Sequence, residues 1–468
     1  MADDQRLLAY FTAMDNQGGV IVRDAPKLDL DLYIANYKGR TRFERLLLIG
    51  QCSVPLCVDA LKAAIVEAKR GKDVQRYRDA WECIRMAAPD EPEAKWDENW
   101  VTRTESANKA ETHRLEVELK GYKNNLVKES IRIGHRDLGE HLEAIGNLNE
   151  ASETYIKMRP DASTQSHIHD VGRHIISIML QKRDWAGALA NVNKVLPANP
   201  TDETTFDQQY QRIASGLAQL GVGKYYEAAK QFLEVSDTTQ TSVLYKDLVS
   251  ANDIATYGGL LALASMDRVE LQSRVLDNTS FRGCLELEPH IRKAVSMFVN
   301  GRYSACLGIL ESYRTDYLLD IYLQKHVAAI FSQIRSKCIV QYFLPFSCVT
   351  LESLNAAFAR PGETIEPELV SMIKSGALNA RINTIDKLLV AVSTNSRAAM
   401  QKKALEAAKG YEKEAIERIR RMNIIAADLE VRGSRKGAGG AGPVPGAGDL
   451  GWQGDSKGPS TNISDGLV

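Results

Sequence analysis

The sequence predicts a mostly α-helical fold: a right-handed solenoid of helix pairs that ends in a winged helix and then continues as one long helix. Three patterns predict it. A large, small, bulky signature recurs four times at a nearly fixed period. The order helix, strand, helix, helix, hairpin runs from Ile334 to Val392. Apolar residues then recur by threes and fours from Leu405 to Leu429.

The repeat is read first because a fixed period announces stacked helix pairs. Large residues at Leu148, Trp185, Tyr225 and Tyr303 lie 37, 40 and 78 residues apart, the last interval being two periods with one degenerate copy between. Ala151, Ala188, Ala228 and Cys306 follow three positions later, and Tyr155, Val192, Phe232 and Leu310 seven positions later. These positions share one helix face, where small residues let neighbouring helices approach and no pair buries its stripe alone. A tetratricopeptide-like array satisfies both demands.

Taken in order, residues 1–27 read as a flexible lead-in with a short helix from Leu7 to Met14, then Gly18, Gly19 and Pro26. Residues 28–220 read as a helical-repeat domain. Its first helices are Arg42 to Ile49, Leu56 to Ala68 with Leu56, Ala60, Leu61, Ala64 and Ile65 on one face, and Val74 to Met86. Pro89 and Pro92 interrupt them. A charged helix follows, with Leu115, Leu119, Tyr122 and Leu126 spaced for one buried stripe.

Residues 221–393 form the next predicted domain, helical over 221–333 and a winged helix over 334–393. A helix from Ile334 stops at Leu344, because the residue before Pro345 is pushed out of the α region. Ser347 to Leu351 is a short strand and Glu352 to Phe358 a helix. Thr364 is placed as N-cap of a second helix with Pro367 in its first turn, Leu369, Val370 and Ile373 as its buried stripe and Gly376 as its stop. Ala380 to Asn383 and Lys387 to Val392 close the unit as a hairpin. Either strand could offer a free edge, which makes Ile382, Leu388 and Val390 candidate protein-binding residues.

Residues 394–432 read as one helix. Leu405, Ala408, Glu412, Ala415, Ile419, Met422, Ala426 and Leu429 fall at the a and d spacing of a seam that faces partner helices. Such a helix reaches roughly 55 Å at 1.5 Å per residue, too far to fold back on one small domain. Leu405, Ala415, Ile419, Met422 and Leu429 are therefore candidate protein-binding residues. Lys402, Lys403, Lys409, Lys413, Arg418, Arg420 and Arg421 crowd the other faces, for which a membrane-surface or nucleic-acid helix is the competing reading. The 433–468 tail, rich in Gly and Pro, holds too little apolar surface to offset ordering entropy and is expected to be disordered.

Lys+Arg 59 against Asp+Glu 60 leaves a net charge of -1, so no global field draws in nucleic acid or an anionic membrane. Of 7 cysteines, Cys52 and Cys57 are the closest pair and no C-x-x-C exists, which suits reduced, buried thiols in the cytosol or nucleus. The acidic start and the shortness of the apolar stretch Ile254 to Met266 point to a soluble intracellular protein.

No catalytic constellation, metal site or cofactor site emerges. His167, His169 and Ser177 mimic the H-x-H-x(7)-S-x-x-D pattern of the JAMM zinc isopeptidases, but Leu180 stands where the acidic ligand belongs. Ala218 to Tyr225 only loosely resembles a P-loop, since Ala218 replaces the first glycine and Tyr225 the magnesium-binding hydroxyl. The helix that would enter a DNA groove carries Glu363, Glu366 and Glu368 against the single base Lys374, which repels phosphates.

An α-solenoid that ends in a winged helix resembles the PCI domain. A narrower likeness is carried by Glu118 to Asn125 and by Lys128-Glu129-Ser130-Ile131-Arg132 with Gly134-His135, Asp137-Leu138-Gly139 and His141. It extends through Tyr37, Gly39-Arg40-Thr41 and Glu44-Arg45-Leu46, through Leu285-Glu286-Leu287-Glu288-Pro289, and through Ile334-Arg335 and Gln341-Tyr342-Phe343 with Pro345. These runs resemble the subunit-one family of the COP-nine signalosome, also called the FUSCA-six or G-protein pathway suppressor family, over roughly residues 28 to 430. The glycine-rich tail and the apolar link Phe346 to Val349 depart from it. The resemblance implies a non-catalytic scaffold in the complex that deneddylates cullins and so regulates cullin-RING ligases. It also implies nuclear and cytoplasmic location, subunits two and three as neighbours, a shared C-terminal helical bundle, and no cofactor, nucleic acid or membrane. The paralogous proteasome lid subunit seven is the alternative, and a winged-helix DNA-binding protein a third reading.

Overall fold

The computed structural model describes residues 2–195, 205–235, 247–359, 362–392, 396–427 and 429, in two compact units, Met1–Val392 and Ser393–Val468. The predicted tail, 433–468, lies outside the described residues.

The repeat signature fixes where helices begin. Leu148–Met158, Trp185–Val195, Tyr225–Leu233 and Tyr303–Ser312 each start on the large residue of the signature. The small and bulky positions that follow, from Ala151 and Tyr155 to Cys306 and Leu310, are all buried. Two residues ahead of each start the backbone turns left-handed, at Gly146 (φ 92°), Arg183 (59°), Gly223 (86°) and Gly301 (75°). The next amide then closes the preceding helix by bonding back five residues: Asn147 to Leu142, Asp184 to Met179, Lys224 to Gln219 and Arg302 to Met297. Each corner is thus the same Schellman turn, which satisfies the last carbonyls of one helix while aiming the next antiparallel to it. The degenerate copy has no such turn. There Met266 and Asp267 leave helix Ala251–Ser265 in extended conformation, and Asp267 caps a short helix that passes into a π-helical segment, Leu271–Leu276. Close packing between the two paired helices explains one glycine of the Asp137 to His141 run. A Cβ on Gly139 would meet the Tyr155 ring at 2.5 Å.

Several local expectations need correction. The first 27 residues are not a loose lead-in, because helix Ala2–Asn16 buries Tyr10 and Phe11 in a core with Cys57 and Ile84. The charged helix, Glu98–Asn125, buries Leu115 and Leu119. Leu126 instead sits beyond its end in the left-handed region and is 82% exposed. The boundary placed at 220/221 falls within helix Thr205–Val222, and one hydrophobic core runs across it from Ile176 to Leu389.

The winged helix is helix Val327–Phe343, strand β1 (Cys348–Thr350), helix Leu351–Phe358, helix Glu366–Lys374, strand β2 (Ala380–Asn383) and strand β3 (Leu388–Ala391). Ile365, not Thr364, caps the second helix, and its amide donates to Asn355 Oδ1 at 2.9 Å. Met372 joins Leu369 in the buried stripe, whereas Val370 faces outward at 39% exposure. Arg335 ties the unit to its lead helix, donating to Glu368 at 2.8 Å and to the Phe358 carbonyl at 2.6 Å. The sheet order is β1-β3-β2, all antiparallel, with Val390 opposite both Cys348 and Arg381. The strand carrying Leu388 and Val390 is therefore central and offers no free edge.

The first unit closes through one buried charge. Arg45, on helix Gly39–Cys52, is fully buried and reaches Asp320 Oδ2 at 2.7 Å and Asp253 Oδ2 at 2.8 Å. Its guanidinium also donates to the Tyr33 and Tyr257 hydroxyls and lies 4.1 Å from the Tyr37 ring centroid. Tyr37 donates to Asp253 at 2.8 Å and Tyr257 to Asp320 at 2.7 Å. Burial pushes both phenols well above their ordinary pKa, so they remain donors. Burial pushes Asp253 up to about 6 against the pull of Arg45. At Asp320 burial is outweighed by Arg45, Tyr257 and the Leu323 amide, which hold it below the usual range. Beside this cluster the Lys27 amide donates to Asp316 at 2.9 Å, and Leu319 packs with Ile49 and Ala60.

Two outcomes follow from this architecture. Arg45→Met, which strands two buried carboxylates, costs about 3–5 kcal/mol and lowers the thermal midpoint, while adding Asp253→Asn and Asp320→Asn restores much of it; unchanged melting of the single variant contradicts the clasp. Val390→Pro removes a central ladder bond and unfolds the winged helix. A proline at Ile382, on an edge strand, is tolerated better; limited proteolysis of the two variants compares them.

Candidate interaction surfaces

With β3 central, the two free edges belong to β1 and β2. The Val392 amide bonds to the Asn379 carbonyl, so bonded pairs alternate along the register and Ile382 turns its N–H and C=O outward. On β1 the bond from Ala391 to Ser347 likewise leaves Cys348 facing outward. Among the sequence-predicted binding residues, Ile382 thus lies on an edge, while Leu388 and Val390 only support it from the middle of the sheet. Apolar side chains adjoin the β1 edge: Leu344 is 71% and Phe346 46% exposed. Phe346 opens the Phe346 to Val349 link, and with Leu344 it carries apolar surface to the sheet's margin. The helix that would read a groove presents Glu366 and Glu368 in its first turn, an acidic end that disfavours duplex DNA.

The second unit is described over helix Ser396–Ala426 with Ala427 and Leu429, about 46 Å of helix at 1.5 Å per residue. Leu405, Ile419, Met422 and Leu429 are exposed, and Ala415 is half-buried. Apolar exposure is not confined to the a and d seam, since Met400, Tyr411, Ile416, Ile424 and Ile425 are also exposed. Ile424 and Ile425 widen the stripe at the C-terminal end, where the spacing argument alone places Met422 and Ala426.

The His167 and His169 pair lies in helix Gln165–Gln181, with the His167 amide capped by Thr164. His167 Nδ1 stands 3.8 Å from Glu129, and Leu180 is buried in the core. Among the described residues, no group of three His, Cys, Asp or Glu side chains could hold a metal ion, and no helix is long and apolar enough to cross a membrane. Of the cysteines, Cys348 is exposed and the other six are buried thiols.

Sequence reasoning missed the role of the Tyr37 to Leu46 run. Thr41 donates to the Asp247 carbonyl, Glu44 accepts from Arg183 at 3.0 Å, and Tyr37 and Arg45 enter the buried clasp. A signal was present, since Arg45 interrupts a stripe that Thr41, Ile49 and Cys52 otherwise bury.

Comparison with known proteins places these features. The description "26S proteasome subunit RPN7" matches residues 97–274, and "PCI domain" matches residues 310–392. The COP9 signalosome complex subunit 1 of Neurospora crassa is 50% identical over 445 residues, covering 94% of this chain and 97% of the relative. That of Emericella nidulans is 47% identical, covering 88% and 85%. That of Arabidopsis thaliana is 36% identical, covering 87% and 92%. A 26S proteasome non-ATPase regulatory subunit 6 from Oryza sativa is 21% identical over 61% of this chain, which makes the proteasomal likeness the more distant one. With identity this high along nearly the whole of both chains, this chain belongs to the COP9 signalosome complex subunit 1 family.

Proposed function

We propose that this chain is a non-catalytic scaffold of a signalosome that deneddylates cullins, working in the nucleus and cytoplasm and meeting cullin-RING ligases through the assembled complex. The observation that carries the reading is the Ser396–Ala426 helix, which exposes Ile419 at 56% and Met422 at 67%. Apolar side chains repeating along a helix of this length call for other helices to cover them. Burying Ile419, Met422 and Leu429 contributes about 1.5–3 kcal/mol each, and we place subunits two and three as the neighbours that do so. The β2 edge at Ile382 supplies a second contact, a row of main-chain groups able to extend a neighbour's sheet. A scaffold also suits the chemistry, because Leu180 occupies the position at which the isopeptidase pattern needs an acid.

Affinity purification tests the assignment. Ile419→Asp with Met422→Asp is expected to expel the chain from its complex while leaving the melting of the Met1–Val392 unit unchanged. Reversing the charge of Lys402 and Lys403 is expected to change co-purification little. Normal co-purification of the double aspartate variant overturns the bundle. Stoichiometric zinc in the purified chain, lost on His169→Ala, overturns the non-catalytic reading.

A further inference from the structure

Beside the Arg45 clasp lies a cavity of about 340 Å³ between the N-terminal segment and the helices that begin at Ala251, Pro289 and Arg314. Its floor is buried Tyr37, Tyr257 and Leu323, and its mouth is formed by exposed Lys27, Asp29 and Leu32. Tyr33, Tyr313 and Tyr317 complete a wall of aromatic rings. Asp29, Asp253, Glu288, Asp316 and Asp320 supply five lining carboxylates. Arg45, behind the floor, compensates the pair at Asp253 and Asp320 by one charge only.

Two contacts give this anionic, aromatic space a direction. Lys27 Nζ stands 3.9 Å from the centroid of the Tyr313 ring, so the chain already rests one of its own ammonium groups on the wall. On the other side His290 stacks on Tyr313 at 3.9 Å between centroids, and its Nδ1 lies 3.1 Å from Glu288 Oε2. Glu288 also accepts from Asn252 Nδ2 at 2.7 Å, which holds the carboxylate at the cavity wall. A ring quadrupole attracts cations, and surrounding carboxylates of uncompensated charge reinforce it. The same field excludes phosphate and other anions.

We propose that this cavity receives an arginine or lysine side chain from a basic segment of a partner protein, with Tyr313 and Glu288 as its contacts and Lys27 as the resident cation that the incoming side chain displaces. The volume lies near the lower end of ligand pockets, suited to one long side chain rather than to a folded ligand. The inference is independent of whether the C-terminal helix enters a bundle, because its evidence lies wholly within the first unit.

Saturation-transfer NMR on the full chain tests it, with N-acetyl-argininamide as the probe and N-acetyl-glutaminamide as the neutral control. Saturable binding is expected for the first and not for the second. Tyr313→Leu is expected to weaken binding about threefold to tenfold, and Glu288→Gln to weaken it in the same direction. Lys27→Ala, which keeps the main-chain bond to Asp316, is expected to strengthen it by a similar factor. Equal binding of the two probes overturns the proposal, as does a Lys27→Ala variant that binds no better than wild type. If Tyr313→Leu also lowers the thermal midpoint, Lys27→Ala decides. If replacing Arg432, Arg435 and Lys436 by Gln alone strengthens probe binding, the chain's own tail is the occupant and the partner assignment falls.

Discussion

The first unit depends on one guanidinium held out of water. Arg45 has no solvent exposure, and its two counter-charges come from positions 253 and 320, more than two hundred residues away. Taking a charge this deep costs several kcal/mol unless nearly every group around it is paired. Here the Asp320 carboxylate is further satisfied by the Tyr322 and Leu323 amides, and Asp253 by the Ser250 amide. The same aspartates thus cap or bend the chain locally while they bind the arginine. The clasp therefore specifies which helices meet, and any other docking of the N-terminal helices leaves carboxylates buried without a counter-charge.

The solenoid between these ends is built from a corner used repeatedly. At three of the four turns the left-handed residue is glycine, and at the fourth it is Arg183. A non-glycine there carries a backbone cost, and Arg183 spends its side chain on long-range contacts. It donates to Glu44 and lies 4.6 Å from the Tyr322 ring centroid. The turn that departs from the glycine rule is thus one that helps hold the N-terminal helices against the repeats.

At the far end, exposure follows from topology. Three strands in the order β1-β3-β2 leave two edges, and among the described residues no further strand covers them. Edges and an apolar helix are liabilities for an isolated chain. Assembly with other chains, as proposed above, is the arrangement that would cover both. Membership in the signalosome subunit 1 family and the exposed surfaces therefore point the same way, one from ancestry and one from physics.

The sequence by itself determined what is local. Periodicity put Leu148, Trp185, Tyr225 and Tyr303 on one face of the repeated helices, β-branched runs placed the strands, and Gly376 stopped the helix before the hairpin, because these signals act within a few residues of one another. Only the tertiary structure decided what is paired at a distance. Nothing near Arg45 announces Asp253 or Asp320, and nothing in two hairpin strands says that β1 returns to make one of them central. Tyr10 and Phe11 read as part of a loose lead-in until helices from other parts of the chain supply the surface that buries them. Leu126 fits the apolar spacing and is excluded only because its helix ends one residue too soon. Short-range pattern fixes the elements. Long-range charge pairing and strand order decide which of their faces are inside, and neither leaves a period that can be read along the chain.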